Sequence, residues 1–148
     1  MRLDHHWIEN HIPHQGRMCL LDEVIDWDAQ HIRCRSTSHR AADNPLRSHG
    51  RLGSAAGIEY SAQAMAAHGA LGGAGRRSEF GFLASLRDVR LHVARLDDIE
   101  TDLICEARLI AGDDGSALYE FMLDSGARRL LSGRATVVFD ASRRVITP

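Results

Sequence analysis

GSAAGIEYSAQAMAAHGAL, residues 53–71, is the stretch on which the fold turns. It is rich in alanine and nearly free of charge, with Ser54 placed as an N-cap and Gly72, Gly73 and Gly75 as a stop. A surface helix carries a polar face at a 3.6-residue period. Here that face shrinks to Glu59, Gln63 and His68 among small residues, so the pattern predicts a helix enclosed on most sides. The flanks say what encloses it. Upstream, residues 17–28 and 31–38 read as two strands joined by a turn at Asp28-Ala29-Gln30. Downstream, residues 79–96, 100–111, 117–124 and 130–140 read as strands. Leu131, Gly133, Ala135, Val137 and Phe139 alternate with polar neighbours in the last of them. Gly112-Asp113-Asp114-Gly115 is a hairpin turn, and a change of apolar register near Arg87-Asp88 predicts a bulge. The fold class is α+β, a curved antiparallel sheet wrapped round one long central helix.

At 148 residues the chain is the size of one domain, 1–148, and large enough for a core without disulfide or metal staples. A formal net charge of −2 argues against a binder of nucleic acid, which needs a basic excess. No apolar run approaches the ~20 residues of a membrane span, and the polar N-terminus lacks a signal peptide's apolar stretch, so a cytoplasmic protein is expected. Cys19, Cys34 and Cys105 are odd in number and widely spaced, as reduced core thiols would be. All 18 basic residues are arginine, which closes Schiff-base, pyridoxal and P-loop lysine chemistry. Ser54 lacks the preceding glycine of a nucleophile elbow, and the glycines of 69–75 do not form a dinucleotide fingerprint. His5, His6, His11 and His14 have no ligand partners at metal-binding spacing, so neither a metal nor a cofactor is expected.

Glu59 is the residue that most demands a reason. A lone carboxylate in such a helix must reach a cavity or bear a desolvation cost, and desolvation would raise its pKa toward that of a general acid. The structural alternative is pairing with an arginine such as Arg90. Gln63, one turn later on the same face, is placed to orient it. His49, in the polar loop before the helix, is an imidazole that could face a pocket, whereas His68 lies on another helical face and reads as a core or interface residue. Arg76-Arg77, Arg128-Arg129 and Arg143-Arg144 could meet an acidic protein or a phosphate, or be solvated turn residues.

Ile12-Pro13-His14 followed by Cys19-Leu20-Leu21-Asp22, then Gly57-Ile58-Glu59-Tyr60-Ser61-Ala62-Gln63-Ala64, resembles the hot-dog-fold 3-hydroxyacyl-acyl-carrier-protein dehydratases over nearly the whole chain. The branch most similar is that encoded in aryl polyene gene clusters. The resemblance implies dimerisation, as a homodimer or with another hot-dog subunit, into one larger sheet with active sites shared between subunits. It implies removal of water from a 3-hydroxyacyl thioester carried on the phosphopantetheine of an acyl carrier protein. A histidine would take the α-proton, Glu59 would protonate the leaving hydroxyl, and a backbone N–H near the helix start would polarise the carbonyl. The family's histidine would fall at Asn44-Pro45, so His49 is expected to stand in as the base. Gln63, Gly57, Ser54 and His14 would bind substrate, and Arg128 and Arg129 would dock the carrier. Two alternatives share the fold: an acyl thioesterase, and an inactive partner subunit of a hot-dog heterodimer.

Overall fold

The computed structural model describes residues 2–73 and 81–139. The expected strand start at Glu79-Phe80, the Gly75 stop, the arginine pairs 76–77 and 143–144, and Asp140 lie outside those residues. Six strands form one antiparallel sheet in the order β1-β2-β4-β5-β6-β3. They are β1 (Glu23–Trp27), β2 (His31–Ser36), β3 (Gly81–Leu91), β4 (Leu103–Gly112), β5 (Ser116–Ser125) and β6 (Arg128–Phe139). Among the described residues two α-helices, α1 (His5–His11) and α2 (Ala56–Ala70), and two short 3-10 turns, Gly16–Met18 and Ser38–Arg40, accompany the sheet.

Turn chemistry sets the hairpins. Asp28 Oδ1 accepts from the N–H groups of Gln30 and His31, both at 2.8 Å, closing β1 onto β2. Asp113 does the same between β4 and β5, accepting from Gly115 and Ser116. Along β5 the inward positions Ala117, Tyr119, Phe121, Leu123 and Ser125 are all buried, the period-two signature of one covered face. The β3 register slips between Arg87 and Arg90, where Asp88 adopts φ 55, and again between Leu83 and Ser85. The bulge read at Arg87-Asp88 is therefore present, with a second one beside it.

Helix α2 packs across β2, β4 and β5. Its buried side includes Gly57, Tyr60, Ala64 and Ala67, while Glu59, Ala62, Ala66, Gly69 and Ala70 form a half-covered stripe along the other side. The predicted cap is not there. Ala55 occupies the N-cap without a side-chain bond, because i→i+3 backbone bonds already serve the first donors. Ala56, Gly57 and Ile58 donate to the carbonyls of Gly53, Ser54 and Ala55 at 3.0, 2.9 and 3.1 Å. Gly57 is needed for close approach: a Cβ there would come within 2.9 Å of Leu123 Cδ2 and closer still to Leu131 Cδ2. Gly57→Val should cost about 1–3 kcal/mol by overpacking, read as a lower urea midpoint at unchanged slope.

The N-terminal segment, read from sequence only as polar, is helical. Asp4 Oδ1 caps α1 through the Trp7 N–H at 3.0 Å, and Ile8 and Ile12, one turn apart, are buried in the core. Among the described residues no helix is long and apolar enough to cross a membrane. Burial pushes the thiols of Cys19 and Cys105 up to about 11 and about 12, so both are inert core groups, and Cys34 is raised by the same cause.

Candidate active site

The site grows from the segment that links α1 to β1. After α1 the chain turns through Ile12, Pro13 and His14 into a short 3-10 turn, Gly16–Met18, with Gly16 in the left-handed region at φ 58. Glu9 closes this turn from one side: its Oε2 accepts the Gly16 N–H at 2.6 Å and its carbonyl accepts from Gln15 Nε2 at 2.8 Å. Gln63 closes it from the other. The buried amide of Gln63 accepts the Leu20 N–H at 2.8 Å and donates to the Met18 carbonyl at 2.7 Å. The same Nε2 donates to Glu59 Oε1 at 3.2 Å. One side chain thus fixes both the incoming loop and the carboxylate.

The result is a contact between His14 and Glu59, with Nε2 and Oε1 2.9 Å apart. Both side chains are about one-third exposed or less, at 27% and 34%. A carboxylate only accepts, so the ring's Nε2 carries the hydrogen. That bond, with a smaller contribution from Gln63, holds the Glu59 carboxyl below the ordinary glutamate value even though burial pushes the other way. The shift is opposite in sign to the rise that desolvation alone predicts, because the donors His14 and Gln63 outweigh burial. The partner is an imidazole rather than Arg90, which is exposed on β3.

His14 and Glu59 stand in a cavity of about 430 Å³ that extends along the half-covered stripe of α2. Ala62, Ala66, Gly69 and Ala70 form one wall, and Leu83, Val137 and Phe139 of β3 and β6 form the opposite one. From Glu59 to Gly69 the helix rises about 15 Å, so the cavity follows the helix between mostly apolar walls, with His14 and Glu59 among its lining residues. Tyr119 also lines it; its hydroxyl lies 2.7 Å from His68 Nδ1. His68 Nε2 lies 2.8 Å from the Asp28 carbonyl, and burial lowers the pKa of this histidine. His68 is a core residue, as its helical face predicts.

The other sequence candidates fall elsewhere. His49 is exposed in a turn at φ 53, with Ser48 Oγ 3.1 Å from its Nδ1, and it does not line the cavity. Its loop is held by Leu96, which donates to the Leu52 carbonyl at 2.8 Å, and by Asp97, which accepts the Leu52 N–H at 2.9 Å. The imidazole beside Glu59 in this chain is His14. Asn44, where the family's histidine would fall, is buried and donates to the Tyr60 hydroxyl at 3.1 Å and the Ser38 carbonyl at 2.9 Å. Tyr60 and Glu59 point about 100° apart on α2, so that loop is tied to the wrong side of the helix. Neither Gly57 nor Ser54 lines the cavity, and the Gly57 N–H is already bonded to the Ser54 carbonyl. Arg129 is paired with Asp124 at 2.5 Å, whereas Arg128 lines a separate open groove with His92 and Arg95. Among the described residues no cluster of three His, Cys, Asp or Glu could hold a metal ion.

Comparison with known proteins sets this geometry in context. The model of the ApeP-like family, described as ApeP dehydratase, matches residues 6–145. The chain belongs to the ApeP-like dehydratase family. Its fold is that of the dehydratase heterocomplex ApeI:P from Xenorhabdus doucetiae, with TM-score 0.77 and 24% identity over 93% of each chain. A mutant thioesterase from Pseudomonas aeruginosa is similar at TM-score 0.57 and 11% identity, covering 79% of each chain. A hypothetical thioesterase with coenzyme A from Streptococcus pneumoniae aligns at TM-score 0.57 and 12% identity, over 80% of this chain and 84% of that one. A search of curated protein sequences gives no match. The architecture is thus the hot-dog fold, and this ApeP-like chain presents in it a histidine and a glutamate in a mostly apolar cavity.

Proposed function

We propose that the protein dehydrates 3-hydroxyacyl thioesters presented on an acyl carrier protein, with His14 and Glu59 as the acid–base pair and the α2 channel as the acyl site. The observation that carries this reading is the 2.9 Å contact between the two in a mostly apolar cavity. Elimination of water needs one group to accept the C2 proton and another to supply a proton to the C3 hydroxyl. Hydrogen bonds from His14 and Gln63 favour the ionised form of Glu59, which can only accept a proton, so Glu59 takes the role of base and the roles read from the sequence are exchanged. Starting from a His14 imidazolium and a Glu59 carboxylate, Glu59 takes the C2 proton and those bonding electrons form the C2–C3 double bond. The hydroxyl departs as water with the proton of His14 Nε2. Transfer from Glu59 back to His14 resets the pair.

A second hot-dog subunit is the expected partner, of the same sequence or a different one. Among the described residues β3 is an edge strand, and Phe82, Leu86 and Leu91 on it are 41%, 40% and 47% exposed. Arg128 is the better-placed docking arginine for an acidic carrier, since the Arg129 guanidinium is engaged by Asp124.

The decisive assay supplies 3-hydroxyacyl and acyl thioesters to the protein alone and with a second hot-dog subunit. Enoyl product supports dehydration. Free thiol from acyl thioesters without enoyl product replaces it with the thioesterase reading, and activity that requires only the partner's intact site makes this chain an inactive subunit. The channel adds its own expectation. Ala66→Leu fills it about two turns beyond Glu59, so kcat/KM for long acyl chains should fall roughly 10- to 100-fold while short chains are little affected.

A further inference from the structure

His11 lines the cavity but has no part in the acid–base pair. It closes α1, three residues before His14. We propose that His11 is a substrate-binding residue: its Nε2 accepts a hydrogen bond from the first amide N–H of the carrier's pantetheine arm, counted from the sulfur. The kinetic test of this contact rests on the dehydratase reading above, and its binding test does not.

Three observations carry it. The first is that the ring is held on two sides although it is exposed. It is stacked on Trp7, with centroids 4.1 Å apart and planes within 11°, and its Nδ1 lies 2.7 Å from the Trp7 carbonyl. An exposed side chain so restrained gives up its rotamer freedom without being buried, which is what a pre-oriented binding group requires. The second is the tautomer. A carbonyl only accepts, so Nδ1 carries the hydrogen, and the neutral ring presents Nε2 as an acceptor. The two ring nitrogens point in diverging directions, so fixing Nδ1 against the helix backbone turns Nε2 away from it. Among the described residues nothing bonds to that atom. His68 is the contrast: its two nitrogens lie 2.7 Å from the Tyr119 hydroxyl and 2.8 Å from the Asp28 carbonyl. The third observation is place. His11, Pro13 and His14 border the cavity from one segment, and Glu59 is the first residue of α2 to line it.

The chemistry of the substrate decides what such an acceptor meets. In a 3-hydroxyacyl thioester the carbonyl only accepts, the 3-hydroxyl is held at His14, and the chain beyond C3 lies along the apolar walls. The first donor on the other side of the sulfur is the amide N–H two carbons away. With C2 and C3 at His14 and Glu59 and the chain along α2, the arm leaves toward solvent past the exposed ring of His11.

The kinetic test compares two thioesters of one 3-hydroxyacyl chain. One is on N-acetylcysteamine, which keeps this amide, and the other on 2-acetoxyethanethiol, in which an ester oxygen replaces the N–H. Wild type should favour the amide by roughly 5- to 10-fold in kcat/KM, mostly through KM, the worth of one neutral hydrogen bond. His11→Phe keeps a ring against Trp7 but removes Nε2, so kcat/KM on the amide should fall by that factor and the preference vanish. An equal fall on both thioesters would mean that the ring only supports α1 and would overturn the proposal, as would a wild type indifferent to the N–H. The binding test needs no variant and no turnover. Nitrogen NMR follows the His11 ring of the wild-type protein as the unreactive thioether S-butyl-N-acetylcysteamine is added, or its acetate ester counterpart. The Nε2 resonance should move with the amide and not with the ester. Equal responses, no response, or a ring whose hydrogen sits on Nε2 overturns the contact. A wild type that dehydrates neither thioester removes the function proposed above and leaves the NMR result to decide this contact alone.

Discussion

Glu59→Gln should lower turnover by about 10²- to 10⁴-fold while the protein remains folded, and His14→Ala should do nearly as much. The amide keeps the shape of the carboxylate and can still accept the hydrogen from His14 Nε2, so the loss is one of proton transfer, not of packing. Two groups that pass one proton act as a unit, so the double variant should be little worse than either single one. His49→Asn, in an exposed turn that does not reach the cavity, should leave the rate unchanged. An inactive His49→Asn beside an active His14→Ala would remove the assignment. The pH profile carries a further expectation. Because the folded Glu59 carboxyl titrates below its ordinary value, the acid limb of kcat/KM should lie below that value instead of near neutrality. The same shift makes Glu59 a source of stability that is present above the unfolded pKa and lost as pH falls through the folded one. Glu59→Gln should therefore unfold with a weaker dependence on acid pH.

The reach of the sequence in this protein follows the range of the interactions. The strands, the turns at Asp28 and Asp113 and the bulge at Asp88 are set by neighbours a few residues apart, and all could be read from pattern. Glu59 and Gln63 were legible because a polar side chain in an alanine-rich helix needs a local explanation. His14 appeared in the motif Ile12-Pro13-His14, but only as a substrate-binding residue. What raises it to the partner of Glu59 is a contact across 45 positions, which depends on Gln63 gripping Met18 and Leu20. His49 looked closer because it is only ten positions from Glu59. The backbone bonds from Ser54 to Ala94 and from Leu96 to Leu52, with the Asp97 carboxylate accepting the Leu52 N–H, are also long-range and hold its loop elsewhere. The helix start failed differently: Ser54 has the right side chain for a cap, but a tighter backbone turn had already used the donors it would serve. Helix α1 was missed although its signals were local, with Asp4 as cap and Ile8 and Ile12 one turn apart, because histidines crowd the segment.

Gln63 is where fold and chemistry meet, and its variants should separate the two. Gln63→Leu is close in size, but it leaves the Leu20 N–H and Met18 carbonyl without their partner and removes a donor from Glu59. The two stranded backbone groups should cost roughly 2–4 kcal/mol in unfolding free energy. Once the Met18–Leu20 segment is released, the turn bearing His14 loses one of its two clasps, and a displacement near 1 Å would lower kcat by up to about 10²-fold. KM should change far less, since the channel walls of Ala62, Ala66, Val137 and Phe139 are untouched. Gln63→Glu tests the electrostatic half. Its carboxylate still accepts the Leu20 N–H, but it faces the Met18 carbonyl and the Glu59 carboxylate with no hydrogen to give. Two like charges in place of an amide and a carboxylate disfavour ionisation of Glu59, so the acid limb of kcat/KM should move upward relative to wild type. A stable Gln63→Glu protein with an unmoved acid limb would mean that Gln63 holds the loop alone and has no part in setting the charge of Glu59.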